Sequence, residues 1–234
     1  MIRVSFILGF ILLAATSQSQ SQSNPAFQIW TDFNPRIQLN QKLKIVGDIG
    51  YRIEPESNAQ SFILRGALRY SPNRILSLDL GLGEFITWDT EIFNSSEFRT
   101  FQFLFLNWPN LGEFKFQHRL GIEQRWFNFS DFDAKEFVHR ARYRLGLKSP
   151  DFSIFGSSIP FYIKANVEFL RDLNDEEISV FIDGDRFMIG LGSLWTDKLR
   201  TELQFQIMAL NDPAIKKFIR DVDLIRIRAY YQFR

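Results

Sequence analysis

The side chains of this chain best suited to chemistry are arginines and glutamates spaced two apart along extended stretches. Glu123 and Arg125 form one pair, Arg140, Arg142 and Arg144 a triplet, and Arg226 and Arg228 another pair. Lys164, Glu168, Arg186 and Glu202 fall by parity on the polar side of their own stretches. A spacing of two puts side chains on one face of a strand. The planar fork of arginine binds a carboxylate bidentately and suits other oxyanions as well. In a narrow, poorly hydrated space such charges pair rather than stand alone. Two readings follow. The charges form a selectivity region or a site for an anionic ligand, or they form a salt-bridge plug that holds the fold rigid. The second is the ordinary fate of charge shut inside a protein, which pairs there.

Other chemistry finds less support. Without cysteine there is no disulfide, thiolate metal site or cysteine nucleophile. His118 and His139, the two histidines, fall by parity on the mostly apolar face, and neither has a serine two residues away. Local spacing therefore supplies no Ser-His-acid set. The segment Asp172-Leu173-Asn174-Asp175-Glu176-Glu177 resembles a calcium loop. Its sixth position is Glu177 where glycine is needed, and its twelfth is Asp183 rather than glutamate, so it reads as a solvated loop. Gly81-Leu82-Gly83 and Gly190-Leu191-Gly192 lack the strand-to-helix context of a phosphate loop. Nucleophile elbow, HExxH and Walker patterns are absent from the sequence. No catalytic residue, metal ligand or cofactor is assigned.

The elements that position the charges follow from period-two alternation. Leu43, Ile45, Ile49, Tyr51 and Ile53 alternate with Lys42, Lys44, Asp48 and Arg52. Leu76, Leu78, Leu80 and Leu82 alternate with Ser77, Asp79, Gly81 and Gly83. The pattern recurs over Glu113–Phe127, Ile159–Leu170, Leu199–Ile207 and Ile225–Phe233, and more weakly over Phe27–Leu39, Phe62–Tyr70, Phe98–Trp108, Phe137–Leu147 and Phe187–Trp195. Strands with two different faces give this signature. Turn signals such as Ser71-Pro72-Asn73 and Thr196-Asp197-Lys198 separate them. Helical spacing has one short candidate, near Asp212 to Arg220. The fold class is all-β, an antiparallel up-and-down barrel.

The chain begins with Arg3 and a nearly continuous apolar stretch from Val4 to Ala15, followed by small residues Ala14-Ala15-Thr16-Ser17. Residues 1–23 thus read as a cleaved signal peptide, and residues 24–234 as one barrel domain. The 28 Lys+Arg against 27 Asp+Glu give a net charge of +1, which argues against a nucleic-acid partner. A soluble barrel turns its apolar face inward, whereas an outer-membrane barrel turns it to lipid. Three features favour the membrane form. The strands are long enough to suit a spanning strand of about 9–11 residues. Trp88, Trp108, Trp126 and Trp195 fall near strand ends, where interface aromatics belong. Short connections alternate with long ones, with Lys148–Ser158 as the exception. The patterns mark about eleven strands. An even count, as in bacterial single-chain barrels, selects about twelve, with ten as the alternative and with Asn34-Pro35 or Asp151–Gly156 hiding the missing strand.

The order of several motifs resembles a family of Gram-negative outer-membrane barrels catalogued as domain of unknown function 2490. They are Trp30 with Gly50-Tyr51-Arg52, Glu123-Gln124-Arg125-Trp126-Phe127, Arg140 to Leu147, Val167-Glu168-Phe169, Asp185 to Gly192, and the closing pair from Leu203 to Phe233. One departure is that Arg234 follows Phe233, where such barrels usually end on an aromatic residue. The resemblance implies an outer-membrane barrel and no particular activity. Expected partners are outer-membrane lipid, lipopolysaccharide and the barrel-insertion machinery. The leading expectation is a structural barrel or narrow pore with an Arg/Glu-lined lumen. A lipid-modifying outer-membrane enzyme and a soluble exported barrel binding a hydrophobic ligand are the alternatives.

Overall fold

The computed structural model describes residues 25–88, 94–109, 112–130, 134–154, 156–173, 185–212 and 217–233. The signal-like segment, most of the acidic segment after Leu173, and Arg234 lie outside them. The described residues form eleven strands: β1 Ala26–Gln38, β2 Leu43–Glu54, β3 Ala59–Tyr70, β4 Leu76–Trp88, β5 Ser95–Asn107, β6 Lys115–Phe129, β7 Ala134–Lys148, β8 Phe161–Asp172, β9 Asp185–Leu194, β10 Leu199–Asp212 and β11 Lys217–Gln232. Each pairs antiparallel with its neighbours in sequence, and β1 pairs with β11 to close the barrel.

The count is eleven among the described residues, not twelve, and both places where a twelfth could hide explain why. Pro35 lacks an N–H, and the β1–β2 ladder skips from Phe33↔Ile49 to Arg36↔Val46 there. The strand nonetheless continues, because Asn34 donates from Nδ2 to Asp48 at 2.9 Å across the gap. The Asp151–Gly156 stretch contributes a single bridge, Phe152↔Phe161. With an odd number of strands the first and last run the same way, so the β1–β11 seam is parallel, from Ala26↔Val222 to Arg36↔Gln232.

Two further expectations are corrected. The rim at which β1 begins, here the N-terminal rim, and the opposite C-terminal rim each carry one connection of twelve residues and otherwise connections of four to seven. Short and long connections therefore do not alternate. The strands absorb segments that look like loops in the sequence: β6 extends to Phe129 and β7 resumes at Ala134. The short helical candidate is also a hairpin. The strand pair β10–β11 continues through Asn211↔Phe218 and Asp212↔Lys217, after a register shift at Met208/Ala209.

The faces divide by parity. Leu78, Leu80 and Leu82 of β4 are exposed, Leu80 at 65%, while Ser77 and Asp79 on the alternate parity are buried. Leu203, Phe205, Ile225 and Ile227 repeat this on β10 and β11, against buried Glu202, Gln204 and Leu224. The apolar face thus points out and the polar face points into the closed sheet. Apolar clusters do occur inside. Trp30, Met208, Val222 and Leu224 pack near the N-terminal rim, as do Phe127, Phe129 and Val138 on another wall. Phe101, Phe103 and Phe105 run along β5, with Phe101 and Phe103 stacked at 4.9 Å. Gly121 makes room for this seam, since a Cβ there would collide with the Phe103 ring.

Candidate functional site

Inside the barrel, four neighbouring strands build one ion-pair network. Glu123 on β6 is fully buried and is the hub. It accepts from Arg140 Nη2 at 2.6 Å, from Arg142 Nη1 at 2.6 Å and from Arg99 Nη1 at 3.4 Å. Glu97 on β5 accepts from Arg99 at 2.6 Å and from Arg125 at 2.7 Å. Glu168 on β8 accepts from Arg142 at 2.8 Å and from Arg119. Three carboxylates thus hold five guanidiniums. Cross-strand register puts them in reach: Glu123↔Arg140 and Arg99↔Arg125 face each other directly. Charge-assisted and partly bidentate bonds of this kind are strong once the groups are dehydrated together.

Of the interior residues expected from sequence, Glu123, Arg125, Arg140, Arg142 and Glu168 meet in this network. Glu202 lies apart. It accepts from Tyr162 Oη at 2.7 Å, Gln204 Nε2 at 2.5 Å and Tyr230 Oη at 3.1 Å, and Lys164 Nζ stands 3.5 Å away. Arg226 binds Asp32, with its Nη2 2.9 Å from Oδ1, and Arg228 stands 3.8 Å from the same carboxylate. Arg186 faces Glu168 across the β8–β9 pair. Arg144 sits between Arg119 and Glu168 in register and makes no hydrogen bond or ion pair among the described residues.

Sequence reading missed Glu97, Arg99 and Asp32, as well as Arg119 as a network member. It missed the Asp48–Arg65 pair and the bidentate Arg69–Asp79 pair at 2.5 and 2.6 Å. Trp30 is an inward residue too, with the Arg52 guanidinium 3.6 Å from its ring centre.

Two adjoining cavities lie in the interior among the described residues. The inner one, of about 170 Å³, is lined by twelve arginine and lysine side chains and two carboxylates, Glu97 and Glu168. The other, of about 1020 Å³, lies toward the C-terminal rim and is lined by eleven such cations and two carboxylates, Asp48 and Asp79. Arg65, Arg119, Arg144, Lys164 and Arg228, with Asn166, line both and so mark the layer where the cavities meet. The five cations lie three to five residues in from the C-terminal rim on β3, β6, β7, β8 and β11.

The outer face carries the remaining expected residues. Trp88 and Trp126 are exposed toward the N-terminal rim, and Trp108 and Trp195 toward the C-terminal rim. Trp126 packs between Phe98 and Phe137 at 5.7 and 5.0 Å, and Trp195 Nε1 donates to Thr201 Oγ1 at 2.8 Å. His118 bonds the Tyr143 hydroxyl at 2.8 Å and lies tilted against Trp108 with ring centres 5.7 Å apart, and His139 meets Phe137 edge-on. Among the described residues, no group of three or more His, Asp or Glu is placed to hold a metal ion.

No curated protein matches the chain. Among solved structures it is similar to an anion-selective porin from Comamonas acidovorans, at 15% identity over 80% of this chain and 55% of that one, with a TM-score of 0.33. The chain thus spans about half the length of that porin. A family model matches residues 27–218, the stretch from the first strand into the last, and the chain belongs to that family, described as protein of unknown function DUF2490.

Proposed function

We propose that this protein is exported and inserts as a β barrel in the outer membrane of a Gram-negative bacterium, where it acts as a narrow pore lined by arginine and glutamate. One observation carries the reading: leucine and isoleucine rows are exposed on the outside while fully buried Arg/Glu pairs fill the inside. Water as the outer solvent would leave that apolar surface unsatisfied, whereas lipid satisfies it. Exposed tryptophans at both rims suit two membrane–water interfaces. The adjoining cavities suit a small aqueous path rather than a wide channel. Residues 1–23 serve as the export signal. Membrane lipid, lipopolysaccharide and the insertion machinery are the partners.

The test is conductance of refolded protein in a planar bilayer, with folding checked by a heat-dependent gel shift. The parent is compared with Arg142→Ala. Steady conductance that changes with Arg142, and a reversal potential favouring anions, support the pore. A folded but silent barrel would sink the pore and leave the Arg/Glu network as a rigid plug.

A further inference from the structure

The layer shared by the two cavities has more positive charge than its carboxylates can answer. Arg119 and Arg144 face each other directly across β6–β7, an arrangement of like charges that is unfavourable without a counter-charge. The acids nearby are already committed. Glu168 is held by Arg119 and Arg142 through Oε1, Asp32 by Arg226 with Arg228 at 3.8 Å, Asp48 by Arg65 and Asn34, and Glu202 by two tyrosines and Gln204 with Lys164 at 3.5 Å. The Nε donors of Arg65, Arg119 and Arg228 are buried and have no hydrogen-bond partner. Arg144 has no ion pair at all among the described residues. Unmatched charge inside the barrel and buried donors without partners are both unfavourable, and a bound anion relieves both at once.

We infer that this layer is a binding site for a phosphate-class oxyanion, held among Arg65, Arg119, Arg144, Lys164 and Arg228. The inference rests on the barrel reading, since it needs a solvent path to the interior. The forks come from strands on different walls, so they match a tetrahedral ligand with several acceptors better than a spherical halide. The larger cavity gives access from the C-terminal rim and has room for the organic part of a small phosphorylated solute.

The test is calorimetric titration of the refolded, detergent-held full chain with potassium phosphate, against potassium chloride at matched ionic strength, and then with glycerol phosphate. Saturable phosphate binding that chloride does not reproduce is expected, weakened about tenfold by Arg144→Gln. Lys115→Gln removes an equal charge from the larger cavity outside the shared layer and leaves binding intact. Tighter binding of glycerol phosphate would identify the ligand as an organic phosphate, and equal or weaker binding as the free ion. Should Arg144→Gln not refold, Arg144→Lys keeps the charge, loses the fork and still weakens binding. Equal heats for chloride and phosphate, or equal loss in the Lys115 and Arg144 variants, would overturn the site. A barrel that binds phosphate but stays silent in the bilayer overturns the pore alone. One that conducts without saturable phosphate binding overturns the site alone.

Discussion

Two pairs of arginines face each other across neighbouring strand ladders, and they meet different fates. Arg99 and Arg125 oppose each other on β5–β6, and Glu97 reaches both, at 2.6 and 2.7 Å. Arg119 and Arg144 oppose each other on β6–β7, but Glu168 binds Arg119 and Arg142 through a single oxygen, Oε1, and makes no ion pair with Arg144 among the described residues. The residue types, the parity and the cross-strand geometry are alike. The supply of carboxylate differs. Where a glutamate bridges the pair, the arginines become a strut between strands. Where it does not, they leave an open valence beside a cavity. The interior of this barrel therefore divides into braced pairs and open valence, and the boundary falls where the acids run out.

The strut side should break first and hardest. Glu123→Ala removes the acceptor shared by Arg99, Arg140 and Arg142 and leaves three buried guanidiniums with less to bind. Losing one partner of a buried pair costs roughly 3–5 kcal/mol, and here three pairs are hit together. The expected result is a large drop in the temperature at which the refolded barrel loses its compact gel mobility, or failure to refold. Unchanged heat resistance would mean that the network is not a strut.

A second contrast sets the inside against the outside. Leu80 stands in the middle of β4 on the exposed face, whereas Asp79 beside it is buried and paired with Arg69. Leu80→Lys puts a charge where lipid is expected, at a cost of about 2–4 kcal/mol near the bilayer midplane. Urea titration of the barrel in lipid vesicles reads this directly. A soluble barrel would instead tolerate the change, because the new charge would meet water.

Much of this arrangement is visible in the sequence, because period-two alternation names the two faces strand by strand. Glu123, Arg125, Arg140, Arg142 and Glu168 share a face for that reason and do meet. Parity does not say which arginine meets which glutamate. That depends on hairpin register, which short local patterns do not set. It also fails on β5, where Phe101, Phe103 and Phe105 point inward and make both faces apolar. Glu97 and Arg99 sit on that inward parity, so the acid that bridges the first arginine pair went unassigned. The strand count was legible as about eleven from the alternation itself. An even number would require twelve, and the parallel seam makes the extra strand unnecessary.

The smallest effects sharpen the opening contrast most. Arg125→Ala removes two bonds to Glu97, at 2.7 and 3.1 Å, and leaves that carboxylate its bond from Arg99, so it should cost about 1–3 kcal/mol. Arg144→Gln removes no ion pair and relieves repulsion against Arg119. Its effect on stability should stay within about 0.5 kcal/mol, or be slightly favourable, in phosphate-free buffer. Added phosphate should stabilise the parent and not the variant, because a ligand stabilises only the folded state that binds it. The two variants remove the same charge from facing arginine pairs on adjacent ladders. Equal destabilisation in phosphate-free buffer would show that Arg144 is braced like Arg125, and the division of the interior into strut and open valence would fall.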